Sequence, residues 1–448
     1  MPARRGVGTM GRQIDVQDLK KGMYVVELDR PWVETSFMFQ GFEIRTDAQL
    51  RELQRLCRHV YIAHHDEAGA DPGARRKAGP ASGAEVVPGG DRRQAEVLAA
   101  SLTGRRGPSA YGEPIPLETE LPEARRLHAE ARELFYRIQD DVRLGRNIDG
   151  EGLRVIVAGM VDSVVRNPDA LVWLTQLRNK DEYTVLHSIR VAILALAFGR
   201  HLELTIPELN ILGAGALLHD VGKLKIPDVI LNKPERLTDE EFAIVKNHVP
   251  EGVKILESAR RIPLSAIEVA QCHHERYQGG GYNRGLTGER IGLFGLMAAI
   301  VDTYDAVTSD RAYHAGISAY DALGKLYGQR NKEYHGGLVD RFIQCLGTYP
   351  IGSIVELTTG DIGVVTAINR QRYLRPTVAL VRRANGMAFP PGAAVDLAAG
   401  HESSASGVEI RRVLPAGAHD IIPADYMPRG PGAAAPRDPG LEGRPHHD

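Results

Sequence analysis

Between residues 183 and 305 the chain keeps repeating one arrangement, an apolar stretch with helical spacing that carries a histidine, an aspartate or both. Leu217-Leu218 runs into His219-Asp220, Ile267 to Ala270 runs into His273-His274, and Leu293 to Val301 runs into Asp302. His187 sits among Val185, Ile189, Val191, Ile193, Leu194 and Leu196, and His248 comes near the end of a helix opened by the Thr238 to Glu241 capping box. Five histidines and two aspartates thus come from separate helices, each beside apolar residues that bury its stem. The rest of the chain reads as support for that cluster.

Imidazole with carboxylate is the donor set of iron, manganese or zinc, whereas magnesium and calcium favour oxygen alone. Seven such side chains exceed the needs of one ion. Two metals about 3.5 to 4 Å apart make a nucleophile at neutral pH and stabilise both the attacking and the leaving oxygen of a phosphoryl displacement. Asp220, with two oxygens, is the natural ligand to share between them. On a continuous helix Lys223 returns to the His219 face one turn later, as a cation for charge developing on phosphoryl oxygens.

With 448 residues, 43% of them hydrophobic, the chain has room for two to three domains. A formal charge of -2 gives no global attraction for a nucleic-acid polymer or an anionic membrane, and an anionic ligand must be held by a local site. No stretch reaches the ~18 apolar residues of a membrane span. Cys57, Cys272 and Cys345 lack metal or redox spacing and read as small buried residues of a cytoplasmic protein. Together with the helical spacing of apolar residues, this predicts a multidomain, mainly α protein. Residues 11–66 form a small α+β domain, its strands including Tyr24 to Leu28 and Phe37 to Phe39, with Leu50, Leu53 and Leu56 on one face of a helix capped by Thr46. Residues 67–118, with Arg75-Arg76-Lys77 and Arg105-Arg106, form a Gly/Pro/Arg-rich disordered linker. Residues 121–350 form the helical catalytic domain with its core at 180–345, residues 351–399 a small β appendage, and residues 400–448 a mostly disordered tail ending in His446-His447. His64 and His65 read as a solvated pair at a domain edge.

The run His219-Asp220-Val221-Gly222-Lys223-Leu224-Lys225-Ile226-Pro227-Asp228, with His248, His273-His274-Glu275-Arg276, Gly279 to Tyr282 and Asp302 to Ser309, resembles the HD-GYP family over roughly residues 183 to 342. The N-terminal unit resembles the accessory domain of unknown function that precedes certain bacterial HD-GYP proteins. The resemblance implies an all-helical phosphodiesterase that opens cyclic di-GMP to linear pGpG with a pair of divalent transition metals, iron or manganese. By matching positions it makes His187, His219, Asp220, His248, His273, His274 and Asp302 the metal ligands. It makes Lys223 the helper cation, and Tyr282, Arg311, His314, Gly280 and Gly281 the substrate contacts. Asp305 then orients Arg311 or a ligand histidine, while Glu275 and Arg276 pair at the surface. Cyclic di-GMP is the implied partner, with a diguanylate cyclase and a second copy of the chain as further candidates.

Three departures stand out. Asn283 replaces the family's proline, which would leave the loop with extra freedom to freeze on binding. Tyr183 stands where trinuclear members have a glutamate, with Glu182 one residue off that face, so two metals rather than three are expected. His314 replaces a lysine that meets phosphate in the family. The rival functions are an HD phosphohydrolase acting on other phosphoesters and a non-catalytic cyclic di-GMP receptor.

Overall fold

The computed structural model describes residues 12–21, 23–28, 42–44, 47–62, 111–112, 114–176, 183–233, 235–259, 261–309, 316–370, 372–399 and 407–426. The expectations for Phe37 to Phe39, Thr46, His64, His65, the two basic clusters, Glu182, Arg311, His314, His446 and His447 lie outside these residues, as does most of the expected linker. The chain divides into two compact units, Met1–Pro88 and Gly89–Asp448.

The first unit is a four-stranded antiparallel sheet of β1 (Arg12–Asp15), β2 (Tyr24–Leu28), β3 (Phe42–Glu43) and β4 (His59–Ile62), in the order β1-β4-β2-β3. Helix α1 (Asp47–Leu56) lies between β3 and β4 in sequence. Its three-residue leucine spacing works as expected: Leu53 is fully buried with Val16, Val25, Ile44 and Val60, and Leu50 and Leu56 pack against that cluster.

The second unit opens with α2 (Leu117–Arg143), α3 (Gly150–Arg166) and α4 (Pro168–Leu174), the last started by Asn167 as cap and Pro168 in the first turn. Helices α5 (Tyr183–His201) and α6 (Ile206–Leu218) form the centre. From Val185 to Phe198 all residues of α5 are buried, so this helix is enclosed on every side. A 3₁₀ turn (Val221–Lys225) leads to α7 (Asp228–Leu231), α8 (Asp239–Lys246), α9 (His248–Ser258), α10 (Leu264–Cys272), α11 (Leu293–Thr308), α12 (Ala319–Gly328) and α13 (Gly336–Leu346). Helix α5 packs on α6 and α11, α6 packs on α10, and the 3₁₀ turn packs on α9. These contacts bring the ends of α6, α8 and α10 together beside the N-terminal part of α5 and the second half of α11. Among the described residues no helix is long and apolar enough to cross a membrane. All three cysteines are buried, as their spacing suggested.

The C-terminal sheet is antiparallel, ordered β8-β7-β6-β5-β9 from β5 (Ile354–Leu357), β6 (Ile362–Ala367), β7 (Thr377–Arg382), β8 (Ala394–Asp396) and β9 (Ile410–Val413). Strand β9 lies beyond residue 399, so the boundary expected there is corrected. The Gly/Ala/Ser-rich surroundings hid a short strand that is held by its pairing with β5 rather than by its composition. Nor is the sheet a loose appendage: Ile351, Ile354, Ile362 and Val364 share the helical core. The fully buried Trp173 donates from Nε1 to the Thr366 carbonyl at 3.0 Å, and Arg370 pairs with Asp169 at 2.6 Å.

Candidate metal centre

Three of the five histidines are aimed by the same device. His219, His248 and His273 each follow the last turn of a helix, where carbonyls have no intrahelical partner. Each ring turns back and donates from Nδ1 to the carbonyl three residues earlier, Ala216, Val245 and Ala270, at 2.7 Å in every case. The bond fixes the tautomer and leaves Nε2 as an outward acceptor. His187 lies within α5, where the backbone carbonyls are already bonded. Its Nδ1 instead donates to Asp305 Oδ2 at 2.7 Å.

The Nε2 atoms converge on Asp220. Its Oδ2 lies 3.3 Å from His219 Nε2 and 3.5 Å from His187 Nε2, while Asp302 Oδ1 lies 3.7 and 3.2 Å from the same two nitrogens. On the other side Asp220 Oδ1 lies 3.3 Å from His248 Nε2 and 3.7 Å from His273 Nε2, with His274 completing the group. The seven expected ligands thus come together as two clusters, His187-His219-Asp302 and Asp220-His248-His273-His274, with Asp220 facing both.

This arrangement fits a pair of cations. His248 and His273 point Nε2 at each other across 3.4 Å with both Nδ1 hydrogens committed elsewhere, so two lone pairs and a carboxylate oxygen face one another with no donor between them. Asp220 Oδ1 and His219 Nε2 are buried without a hydrogen-bond partner. Burial opposes ionisation of Asp220 and Asp302, yet the cations around them hold both carboxyls well below the usual range. Burial works against a charge on His219 too, but Asp220 and Asp302 raise it to about 9. The two acids therefore make a place that demands positive charge. On the other side burial brings His248 down to about 4 and also lowers His273 and His274, keeping these rings in the neutral form that ligates metal.

Lys223 departs from expectation. The helix tightens to 3₁₀ after Asp220, and at three residues per turn position i+3 eclipses i. The ammonium consequently sits on Asp220 Oδ2 rather than over His219. Asp305 orients His187, a histidine of the cluster, which is one of its two expected partners. Its own orientation comes from Arg190, whose Nε donates to Oδ1 at 2.7 Å and whose Nη2 donates to Oδ2 at 3.1 Å and to Ser309 Oγ at 2.9 Å. Arg190 was missed, though an arginine three residues after His187, inside the largely apolar run from Val185 to Phe198, was the available signal.

Glu275 does not pair with Arg276 at the surface. It is 1% exposed, and its carboxylate accepts the backbone N–H groups of Arg284 at 2.7 Å and Leu286 at 3.0 Å, clamping the glycine loop, while Arg276 turns to Glu333. At Gly281 a Cβ would lie 2.5 Å from Arg276 N and 2.6 Å from the His274 carbonyl, so packing alone already requires glycine there. Gly280, at φ +82°, has open space around it. Tyr282 stacks on the His274 ring with centroids 4.4 Å apart, edge-on to Phe242, and so walls the His274 side of the cluster.

Asn283 has φ +101°, which reverses the expectation attached to it. A proline ring holds φ near −65°, so this loop could not accept proline without re-forming. Asn283→Pro is therefore expected to weaken kcat/KM by at least about tenfold by displacing Tyr282 and the Glu275 clamp, the equivalent of roughly 1.4 kcal/mol. Metal content should stay unchanged, because no ligand is altered. A tighter KM in the variant would restore the entropic reading of this position.

An HD domain matches residues 169–338, and a domain of unknown function, DUF3391, matches residues 12–153. The chain is 34% identical over 390 residues to a cyclic di-GMP phosphodiesterase of Pseudomonas aeruginosa, covering 87% of this chain and 89% of that one. It is also 34% identical over 192 residues to the cyclic di-GMP phosphodiesterase response regulator RpfG of Xanthomonas campestris, covering 42% of this chain and 50% of the relative. A 3′3′-cGAMP-specific phosphodiesterase of Vibrio cholerae matches at 35% over 162 residues, 36% of this chain and 31% of the relative. With both halves of its architecture matched and the Pseudomonas relative aligned almost end to end, the chain belongs to the HD-GYP family of HD-domain proteins, in the branch that carries a DUF3391 domain ahead of the HD domain.

Proposed function

We propose that this protein is a metal-dependent phosphodiesterase that hydrolyses cyclic di-GMP to linear pGpG. The observation that carries this reading is the carboxylate of Asp220 shared by two His/Asp clusters, in a chain alignable over 89% of a cyclic di-GMP phosphodiesterase. His187, His219 and Asp302 would hold one divalent ion, His248, His273 and His274 the other, with Asp220 reaching both; the mixed donor set suits a divalent transition metal, and the family resemblance narrows it to iron or manganese. Bound there, the ions supply Lewis acidity toward a phosphoryl oxygen and a nucleophile at neutral pH. The chain's own groups do the rest. The backbone carbonyls and Asp305 keep the ring protons on Nδ1 and the Nε2 lone pairs directed inward. Lys223 brings positive charge to the edge of Asp220, where phosphoryl oxygens gain charge as the bond to the 3′ oxygen breaks. Water adds across one phosphodiester, leaving a 5′ phosphate on one guanosine and a 3′ hydroxyl on the other. A substrate of this kind is a signalling nucleotide of the cytoplasm, which is the compartment this reading assigns.

The test is hydrolysis of cyclic di-GMP by protein loaded anaerobically with iron or manganese, with product identification and metal analysis. Close to two ions per chain and pGpG as first product are expected. The Vibrio relative gives a second reading, so 3′3′-cGAMP belongs in the same assay; a kcat/KM higher for 3′3′-cGAMP than for cyclic di-GMP would replace the substrate assignment. Lys223→Ala should keep both ions and lose roughly 10- to 100-fold in kcat, as expected of a group acting on transition-state charge. Loss of metal from that variant would make Lys223 a structural counter-ion of Asp220.

A further inference from the structure

A cavity of ≈ 380 Å³ lies between the helical core and the C-terminal sheet, and no step of the proposed reaction uses it. Its walls come from α4, α5, α11, the start of α12 and the segments flanking β5 and β9, so it exists only because the sheet packs on the helices. Most of the lining is apolar, with Leu194, Ile317, Ile351 and Ile354 among it. The size is within the range of small-molecule sites.

One donor on the wall has capacity to spare. Arg190, 7% exposed, spends Nε and Nη2 on Asp305 and Ser309, which leaves Nη1. Arg190 and Asp305 are the charged residues of the lining, and they neutralise each other. A chamber of this kind has no net charge with which to hold an ion.

We propose that this cavity is a ligand site for an uncharged, mostly apolar small molecule carrying a hydrogen-bond-accepting carbonyl, of the amide, ester or ketone class, and that its occupancy adjusts the metal centre through Arg190. The route is short: Arg190 holds Asp305, and Asp305 holds Nδ1 of His187. An acceptor on Nη1 draws the guanidinium toward the cavity and changes how firmly Asp305 fixes the ring. The binding half of this proposal is independent of the catalytic reading; the regulatory half rests on it.

The experiment titrates full-length protein with fluorinated amides, esters and ketones, with matched carboxylates and amines as controls, followed by ¹⁹F NMR. Uncharged probes are expected to bind saturably with Kd of about 0.01 to 1 mM, and the charged controls at least tenfold more weakly. Ala319→Trp, which fills the cavity from the first turn of α12, should weaken binding at least tenfold. Ile317→Trp, which fills the cavity from the segment before α12, serves if the Ala319 variant does not fold. Absence of saturable binding, equal binding of the carboxylates, or indifference to both tryptophan substitutions overturns the site. Manganese affinity is then measured by chelator competition, without substrate, and a saturating probe should shift it at least about threefold; binding with no shift overturns the regulatory half alone.

Discussion

Asp220→Asn is expected to remove both metal ions, and with them at least about three orders of magnitude of turnover. The amide has nearly the shape of the carboxylate but half its acceptors and no charge. Among the described residues, Asp220 is the one side chain with an oxygen toward each cluster, Oδ2 toward His187 and His219, Oδ1 toward His248 and His273. An amide nitrogen on either side would point hydrogens at imidazole lone pairs. His187→Ala, by contrast, touches one cluster and should lower metal content by about one equivalent. The folded state survives Asp220→Asn, since the histidines left without their anion can release protons rather than stay charged. The measurement is metal stoichiometry beside circular dichroism. An Asp220→Asn protein that keeps one tightly bound ion would show that the clusters are separate sites, and the shared-carboxylate reading would fail.

The aim of the clustered histidines could be read in the sequence because its cause is local. A histidine just past an apolar helix finds open carbonyls three residues back, and that pattern recurs at 219, 248 and 273. What stayed hidden depends on partners far away in the chain. Asp305 reaches His187 across 118 residues, and the Arg190 contacts span 115. Glu275 looks like half of a surface pair until the loop folds back and offers it two backbone donors. Lys223 was placed on the wrong face because a one-residue change in hydrogen-bond span, from α to 3₁₀, is not written in residue type. Asn283 was compared with the family's proline by side chain, whereas its backbone angle decides what that position tolerates. The β-sheet boundary failed for the same reason as Glu275: β9 is a strand because β5 pairs with it.

Gly222→Ala should be as damaging as loss of a ligand, although Gly222 binds nothing. A Cβ there would lie 1.9 Å from the His248 carbonyl oxygen and 2.4 Å from Gly252 N, and neither atom belongs to a side chain that can swing aside. The 3₁₀ turn that follows Asp220 and the first turn of α9 that begins with His248 must separate by an ångström or more to admit a methyl group. His248 Nε2 then leaves its place 3.3 Å from Asp220 Oδ1, and the cluster on that side opens. The expected cost is about 3 kcal/mol of stability, a fall in Tm of roughly 6 to 12 °C, together with loss of at least one metal equivalent. Gly252→Ala is the control, because the crossing is asymmetric: its Cβ would meet Gly222 N at 3.3 Å and Gly222 Cα at 3.6 Å, contacts that small shifts relieve. That variant should lose less than about 1 kcal/mol and keep both ions. Equal behaviour of the two alanines, in melting temperature and in metal content, would mean that the approach of these two turns does not hold His248 against Asp220.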